Sequence, residues 1–159
     1  MPARSAPAFR RPSLRLEEFF DGSAKGWGFT HSRFGTLSQH FDIKAQGKWN
    51  EATRTLLLNE VYLFDDGHRD VLEWRITRHS ENRYSGTETN LKGEAQGEQS
   101  DNHFRWKYVR DVPQAGGGPT RMAFDDCFYL QEPKVLMARA TVSRFGFEIG
   151  VITVTYLKS

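Results

Sequence analysis

From Gly26 onward, apolar and polar residues alternate along most of the chain. Trp27/Phe29, Phe41/Ile43, Leu72/Trp74/Ile76, Phe104/Trp106/Tyr108 and Met122/Phe124/Phe128/Leu130 each fall on every second position. That period belongs to a strand with one face buried and one face wet. The final run, Ile149 to Tyr156, is rich in β-branched residues and continues the pattern. Turn-forming clusters separate the runs: Asn50-Glu51-Ala52-Thr53, Asp65-Asp66-Gly67, Ser80-Glu81-Asn82, Ser100-Asp101-Asn102 and Gln131-Glu132-Pro133-Lys134. Asp66-Gly67 predicts a type I′ hairpin turn with positive φ at both central positions. Gln114–Pro119 (QAGGGP) reads as a flexible loop. No crossover helix is available to join parallel strands, so the sheet is antiparallel. Closure removes its exposed edges. The expected fold is all-β: an up-and-down, calycin or lipocalin-like barrel of roughly eight to ten strands.

Before the alternation, residues 1–12 carry three prolines and no apolar period, and they read as a disordered basic tail. Residues 13–159 form the single barrel domain. Ser13 to Phe20 is the best helical stretch, with Ser13 as N-cap, Leu16, Phe19 and Phe20 on one face, and Gly22 as the stop. Two turns are marginal in water, so this helix should dock on one end of the sheet. Arg4, Arg10, Arg11 and Arg15 precede all other charges; taking these four from 22 leaves 18 basic residues against 20 acidic. The basicity therefore belongs to the tail, which argues against a nucleic-acid partner for the domain. One cysteine, Cys127, permits no intrachain disulfide. No apolar run approaches the ~20 residues of a membrane-spanning helix, and the first dozen residues lack a secretory h-region. The chain is expected to be soluble.

The order Gly26-Trp27-Gly28, Gly47-Lys48-Trp49, Asp65-Asp66-Gly67, Trp106-Lys107-Tyr108, Phe124-Asp125-Asp126-Cys127-Phe128-Tyr129-Leu130 and Arg144-Phe145-Gly146-Phe147-Glu148 is similar to that of a known family. It resembles the proteobacterial lipoprotein family catalogued as domain of unknown function 3833, from about Leu14 to Leu157. The resemblance implies no established activity. It implies a cell-envelope location and a link to fatty-acyl modification, although this sequence shows neither the signal sequence nor the lipid-bearing cysteine of such proteins.

Within the alternation, Asp126 shares its parity with Phe124 and Phe128, which turns a carboxyl inward, while Asp125 and Cys127 face the other way. A carboxylate on an apolar face must be paired or its pKa rises, the route to a general acid or base. The plain alternative is a purely architectural ion pair. Arg139, across the Pro133 turn, is the candidate partner by type; it could hold a lipid's carboxylate or phosphate head, or snorkel to the rim. Glu60 and Tyr62 share a face with Leu58 and Phe64, but Leu57, Val61 and Leu63 make the opposite face apolar too. The parity there is unsettled, and Glu60 reads as solvated, with an inward carboxylate as the alternative. Trp27, Phe41, Trp74, Trp106, Tyr108, Phe124 and Phe128 form an aromatic set that either fills the barrel or lines a ligand cavity.

Five scattered histidines show no metal-ligand spacing, and no cofactor motif is present. Ser143 and Cys127 lack the neighbours of a nucleophile, and the Gly116–Gly118 run lacks a phosphate-binding lysine. The leading expectation is non-catalytic binding of an acyl or other apolar ligand, with Asp126 and Arg139 as polar anchors. Glu60, Tyr62, Trp74, Trp106, Tyr108, Phe124 and Phe128 complete the proposed wall. The alternatives are an enzyme acting on a modified fatty acyl chain through Asp126, and a scaffold docking a membrane-associated partner or surface. The sequence does not specify an oligomeric state.

Overall fold

A computed structural model describes residues 11–35 and 37–159. Ten antiparallel strands follow a single turn of helix, α1 (Leu16–Phe19): β1 Gly22–Ser32, β2 Leu37–Asn50, β3 Thr55–Phe64, β4 Arg69–Arg78, β5 Arg83–Thr87, β6 Ala95–Ser100, β7 His103–Gln114, β8 Gly117–Glu132, β9 Val135–Arg144 and β10 Phe147–Lys158. Each strand pairs with its sequence neighbours, and β1 also pairs with β10, which closes a calycin-like barrel. The expected all-β up-and-down fold is therefore the observed one. Most of the expected tail, residues 1–10, lies outside the described residues. At its end, Arg11 Nη1 donates to the Gln131 carbonyl at 3.2 Å.

The helix is shorter than its sequence pattern suggests. Leu14 is fully buried, and its N–H donates to the Asp101 carbonyl at 2.8 Å, which holds the chain extended through Arg15. Arg15, rather than Ser13, is the N-cap, and no side chain caps the turn. Leu16, Phe19 and Phe20 still plug one end of the barrel as amphipathic spacing requires. The plug is held by polar contacts as well. Tyr84 OH donates to Glu17 Oε2 at 2.7 Å, and Lys158 Nζ donates to the Phe19 carbonyl at 2.7 Å.

Two of the turns depart from expectation. Among the described non-glycine residues, Asp66 does not have positive φ; only Gly67 in that loop does, at 91°. The Gly67 N–H donates to the Phe64 carbonyl and the Phe64 N–H to the His68 carbonyl, so the loop is a residue longer than a type I′ turn. The two-residue turn with positive φ at both positions is Phe145-Gly146, at 53° and 80°. Gln114–Pro119 is no loose loop: β7 and β8 run almost to its centre, leaving Ala115-Gly116 as the connection, with φ 73° at Gly116. Glycines on the inner face make room for aromatics. A Cβ on Gly28 would stand 2.4 Å from the Phe41 ring, and one on Gly97 2.6 Å from Phe104.

Candidate functional site

The plug fills only half of the barrel. Towards the opposite end, where the β1–β2, β3–β4, β7–β8 and β9–β10 turns gather, the interior opens into a cavity of about 310 Å³. That lies at the lower end of the range for small-molecule sites. Its walls are mainly apolar: Phe41 and Phe64 on one side, Phe124 and Phe128 on the other, with Ala138, Val142 and Ile152 between. A void of about 40 Å³ lies beneath it, bounded by Trp74, Trp106, Leu16 and Phe20 of the plugged half. Trp74 packs edge-on against Trp106 at 5.5 Å and Tyr108 at 5.2 Å.

A belt of polar side chains divides the two spaces. Asp126 and Tyr108 line both, and Glu60 lines the lower one. Asp126 points inward, as its place between Phe124 and Phe128 requires, and is 8% exposed. Tyr108 OH donates to its Oδ2 at 3.1 Å, while Oδ1 is buried without any hydrogen-bond partner. Burial pushes the Asp126 carboxyl up to about 8; the Tyr108 bond lowers it, and Glu60 and Asp125 raise it further. Glu60 is also inward, 6% exposed, which corrects its solvated reading: Leu57 and Leu63 take the outer face of β3. Tyr156 OH donates to Glu60 Oε2 at 2.7 Å. Burial raises Glu60 to about 7, against the pull of Tyr156 and of Arg110. Burial also raises Tyr62, Tyr108 and Tyr156, so all three keep their protons at neutral pH.

Arg139 is not part of this belt. It stands opposite Cys127 across the β8–β9 ladder and is exposed on the outer wall. Its strand turns Leu136, Ala138 and Ala140 inward, and the side-chain period of two sends Arg139 out with Met137. Asp126 instead lies opposite Ala140. Trp27 is likewise an outer-wall residue, because Gly26 and Gly28 occupy the inner positions of β1. Asp125 faces out as expected and pairs with Arg105 at 2.6 Å.

The interior arginine is Arg110, a residue the sequence reading did not single out. It is 2% exposed and held by two carboxylates. Its Nη1 and Nη2 donate to Asp70 at 2.5 and 2.8 Å, and its Nε and Nη2 donate to Glu88 Oε1 at 3.0 and 2.8 Å. Burial works against its charge, but the bonds to Asp70 and Glu88 outweigh that and raise its pKa. Its signal was present in the sequence. Arg110 follows Phe104, Trp106 and Tyr108 at the same parity, and Asp70 precedes Leu72, Trp74 and Ile76 in the same way.

The rim carries large exposed aromatics. Phe34 and Phe145 are each 84% exposed and Phe147 70%. Arg33 lies over the Phe34 ring at 5.3 Å and Arg144 over the Phe145 ring at 4.9 Å. His68, at the β3–β4 turn, stacks on Phe64 at 4.2 Å and contacts Asp66 Oδ1. Among the described residues, no group of three or more His, Cys, Asp or Glu side chains is placed to hold a metal ion. Also among them, no helix is long and apolar enough to cross a membrane.

Solved structures share this barrel. The S-type phycobiliprotein lyase CPES of Guillardia theta is similar at 12% identity, with 92% of this chain and 93% of that one covered and a TM-score of 0.66. A protein of unknown function from the DUF3598 family of Nostoc punctiforme is similar at 13% identity and a TM-score of 0.68; 98% of this chain matches 53% of that chain, or about half its length. At such identities the likeness is one of fold. No curated protein matches the sequence. One family model does, described as a protein of unknown function (DUF3833), over residues 4–158, and with nearly the whole chain covered the protein belongs to that family.

Proposed function

We propose that the barrel binds an apolar small molecule in its open half without transforming it. One observation carries this reading: the half of the interior away from the plug is a hollow with mostly apolar walls, open at one end. A filled barrel would have needed larger residues at Ala138 and Ala140, which face the space across from Asp126 and Phe128. Phe41, Phe64, Phe124 and Phe128 supply the apolar contact, and Asp126 with Tyr108 supplies a polar contact at the floor. A barrel of the same fold serves a phycobiliprotein lyase, which supports reading the hollow as a place for a small molecule. The inward carboxyls of Asp126 and Glu60 are each bonded to a tyrosine hydroxyl, an arrangement that suits holding a ligand.

A membrane-surface role for the mouth is favoured by a separate feature. Phe34, Phe145 and Phe147 project from the end at which the cavity opens. Aromatic tips of this kind suit the interface between headgroups and acyl chains. In this reading the protein takes up its ligand at a membrane surface.

Native mass spectrometry of protein purified from its own host tests the central proposal. A retained apolar molecule, lost when Ala138→Phe fills the hollow, is the expected result. An empty barrel that also fails to take up an apolar fluorescent probe would refute it.

A further inference from the structure

Among the described residues that line the cavity, Arg110 is the one lysine or arginine. It is already spanned by Asp70 and Glu88, which leaves that cluster with one negative charge in excess. The other ionisable groups below the rim, among the described residues, are Asp126, Glu60 and the tyrosines Tyr62, Tyr108 and Tyr156, none of which can be a cation. His31 and His68 stand at the mouth, and His68 is engaged by Asp66. A carboxylate or phosphate head that descended to the floor would find, among the described residues, a cluster with one negative charge in excess and no unpaired arginine or lysine. Burial without a partner is costly for any charge.

The floor itself holds an unpartnered carboxyl oxygen. Asp126 Oδ1 is buried and has no hydrogen-bond partner, whereas Oδ2 is taken by Tyr108. A buried polar atom left unpaired is rare in a native structure, and this carboxyl faces the cavity. Resting on the cavity reading above, we infer that the ligand is an apolar molecule whose polar group donates hydrogen bonds, an amine above all, and that the site discriminates against fatty-acid carboxylates. The ammonium arrives with its own proton and donates N–H to Asp126 Oδ1. Burial lifts the Asp126 carboxyl to about 8, and with Tyr108 donating to Oδ2 its proton sits on Oδ1 in the empty barrel; as the ammonium arrives that proton leaves to solvent, and Oδ1 becomes the acceptor of the ion pair. No bond of the ligand is broken.

Three probes with the same alkyl chain separate the possibilities: decylamine, 1-decanol and decanoate, titrated calorimetrically against the full chain at pH 7. The expected order is amine, then alcohol, then decanoate, with the amine bound at least about tenfold more tightly than decanoate. Amine binding should release close to one proton, read from the dependence of the heat on the ionisation enthalpy of the buffer. Asp126→Asn keeps the shape and can keep the Tyr108 bond; it should abolish both the amine preference and the proton release while 1-decanol still binds. If none of the probes binds, the cavity reading fails and this inference falls with it. If decanoate binds as tightly as the amine, or the preference survives Asp126→Asn, the cavity reading stands and the inference is overturned.

Discussion

Asp126 meets Tyr108 across the β7–β8 ladder at 3.1 Å, while Arg139 stands on the far side of the wall. The carboxyl therefore has a neutral partner, and its pKa is raised from 3.8 to about 8 by burial. Folding holds a proton that the unfolded chain has already lost by neutral pH, so stability should fall as pH climbs from about 4 towards 8. Glu60, raised to about 7, acts with the same sign. Asp126→Asn should flatten this slope and be more stable than the parent at pH 8, by about 1–3 kcal/mol. Urea midpoints across pH 5 to 9 read it directly; an unchanged slope would mean the carboxyl ionises freely in the fold.

The two arginines should behave oppositely. Arg110→Met leaves Asp70 and Glu88 buried with no cation between them, and should cost about 3–5 kcal/mol. Arg139→Ala, on the outer wall, should stay within about 0.5 kcal/mol. Thermal denaturation compares them. Comparable losses at both positions would show that Arg139 has a structural role.

Filling the hollow is the complement of removing a charge. Ala138 lines the cavity from β9, so Ala138→Phe should occupy ligand space at little cost to the fold. Binding of an apolar fluorescent probe should weaken at least about tenfold, with the melting midpoint nearly unchanged. Unaltered binding by a folded variant would place the probe elsewhere.

The rim aromatics lend themselves to a vesicle experiment. Phe145 sits at φ 53°, a region a bulky residue seldom occupies and Asn tolerates better. Phe145→Asn should therefore be neutral or slightly stabilising. Combined with Phe34→Ser and Phe147→Ser, it should reduce co-sedimentation with vesicles containing anionic lipid severalfold. Retention of full vesicle binding by the folded triple variant would exclude the rim as the contact.

Strand parity accounts for what was legible in the sequence and what was not. β4, the first half of β7 and the centre of β8 alternate cleanly, and their inward residues Trp74, Trp106, Tyr108 and Asp126 were readable from position alone. In β3 both faces are apolar, because Leu57 and Leu63 are exposed on the outer wall, and parity there could not decide where Glu60 points. Arg139 misled for a different reason. Charge alone pairs it with Asp126, whereas its own strand places it among the outward residues. The cation that does lie inside sat unnoticed on the aromatic parity of β7, and its partner Glu88 lies just past β5, where no alternation marks it. The existence of the hollow depends on how far the plug reaches and on small side chains at Ala138 and Ala140, which no local pattern records.

Nine of the ten seams of the barrel join strands that are neighbours in the chain; the tenth joins Gly22–Ser32 to Phe147–Lys158. Hairpins assemble within microseconds once both their strands exist, but the tenth seam has to bring together opposite ends of the domain and is slow to form. During synthesis, the first strand waits with one bare edge until the last has left the ribosome. A bare edge is a template for another chain. The hazard of aggregation is thus concentrated in one interval of the molecule's life, just before its final strand arrives. A chain cut short before Phe147 would yield an open sheet with two raw edges, not a smaller barrel.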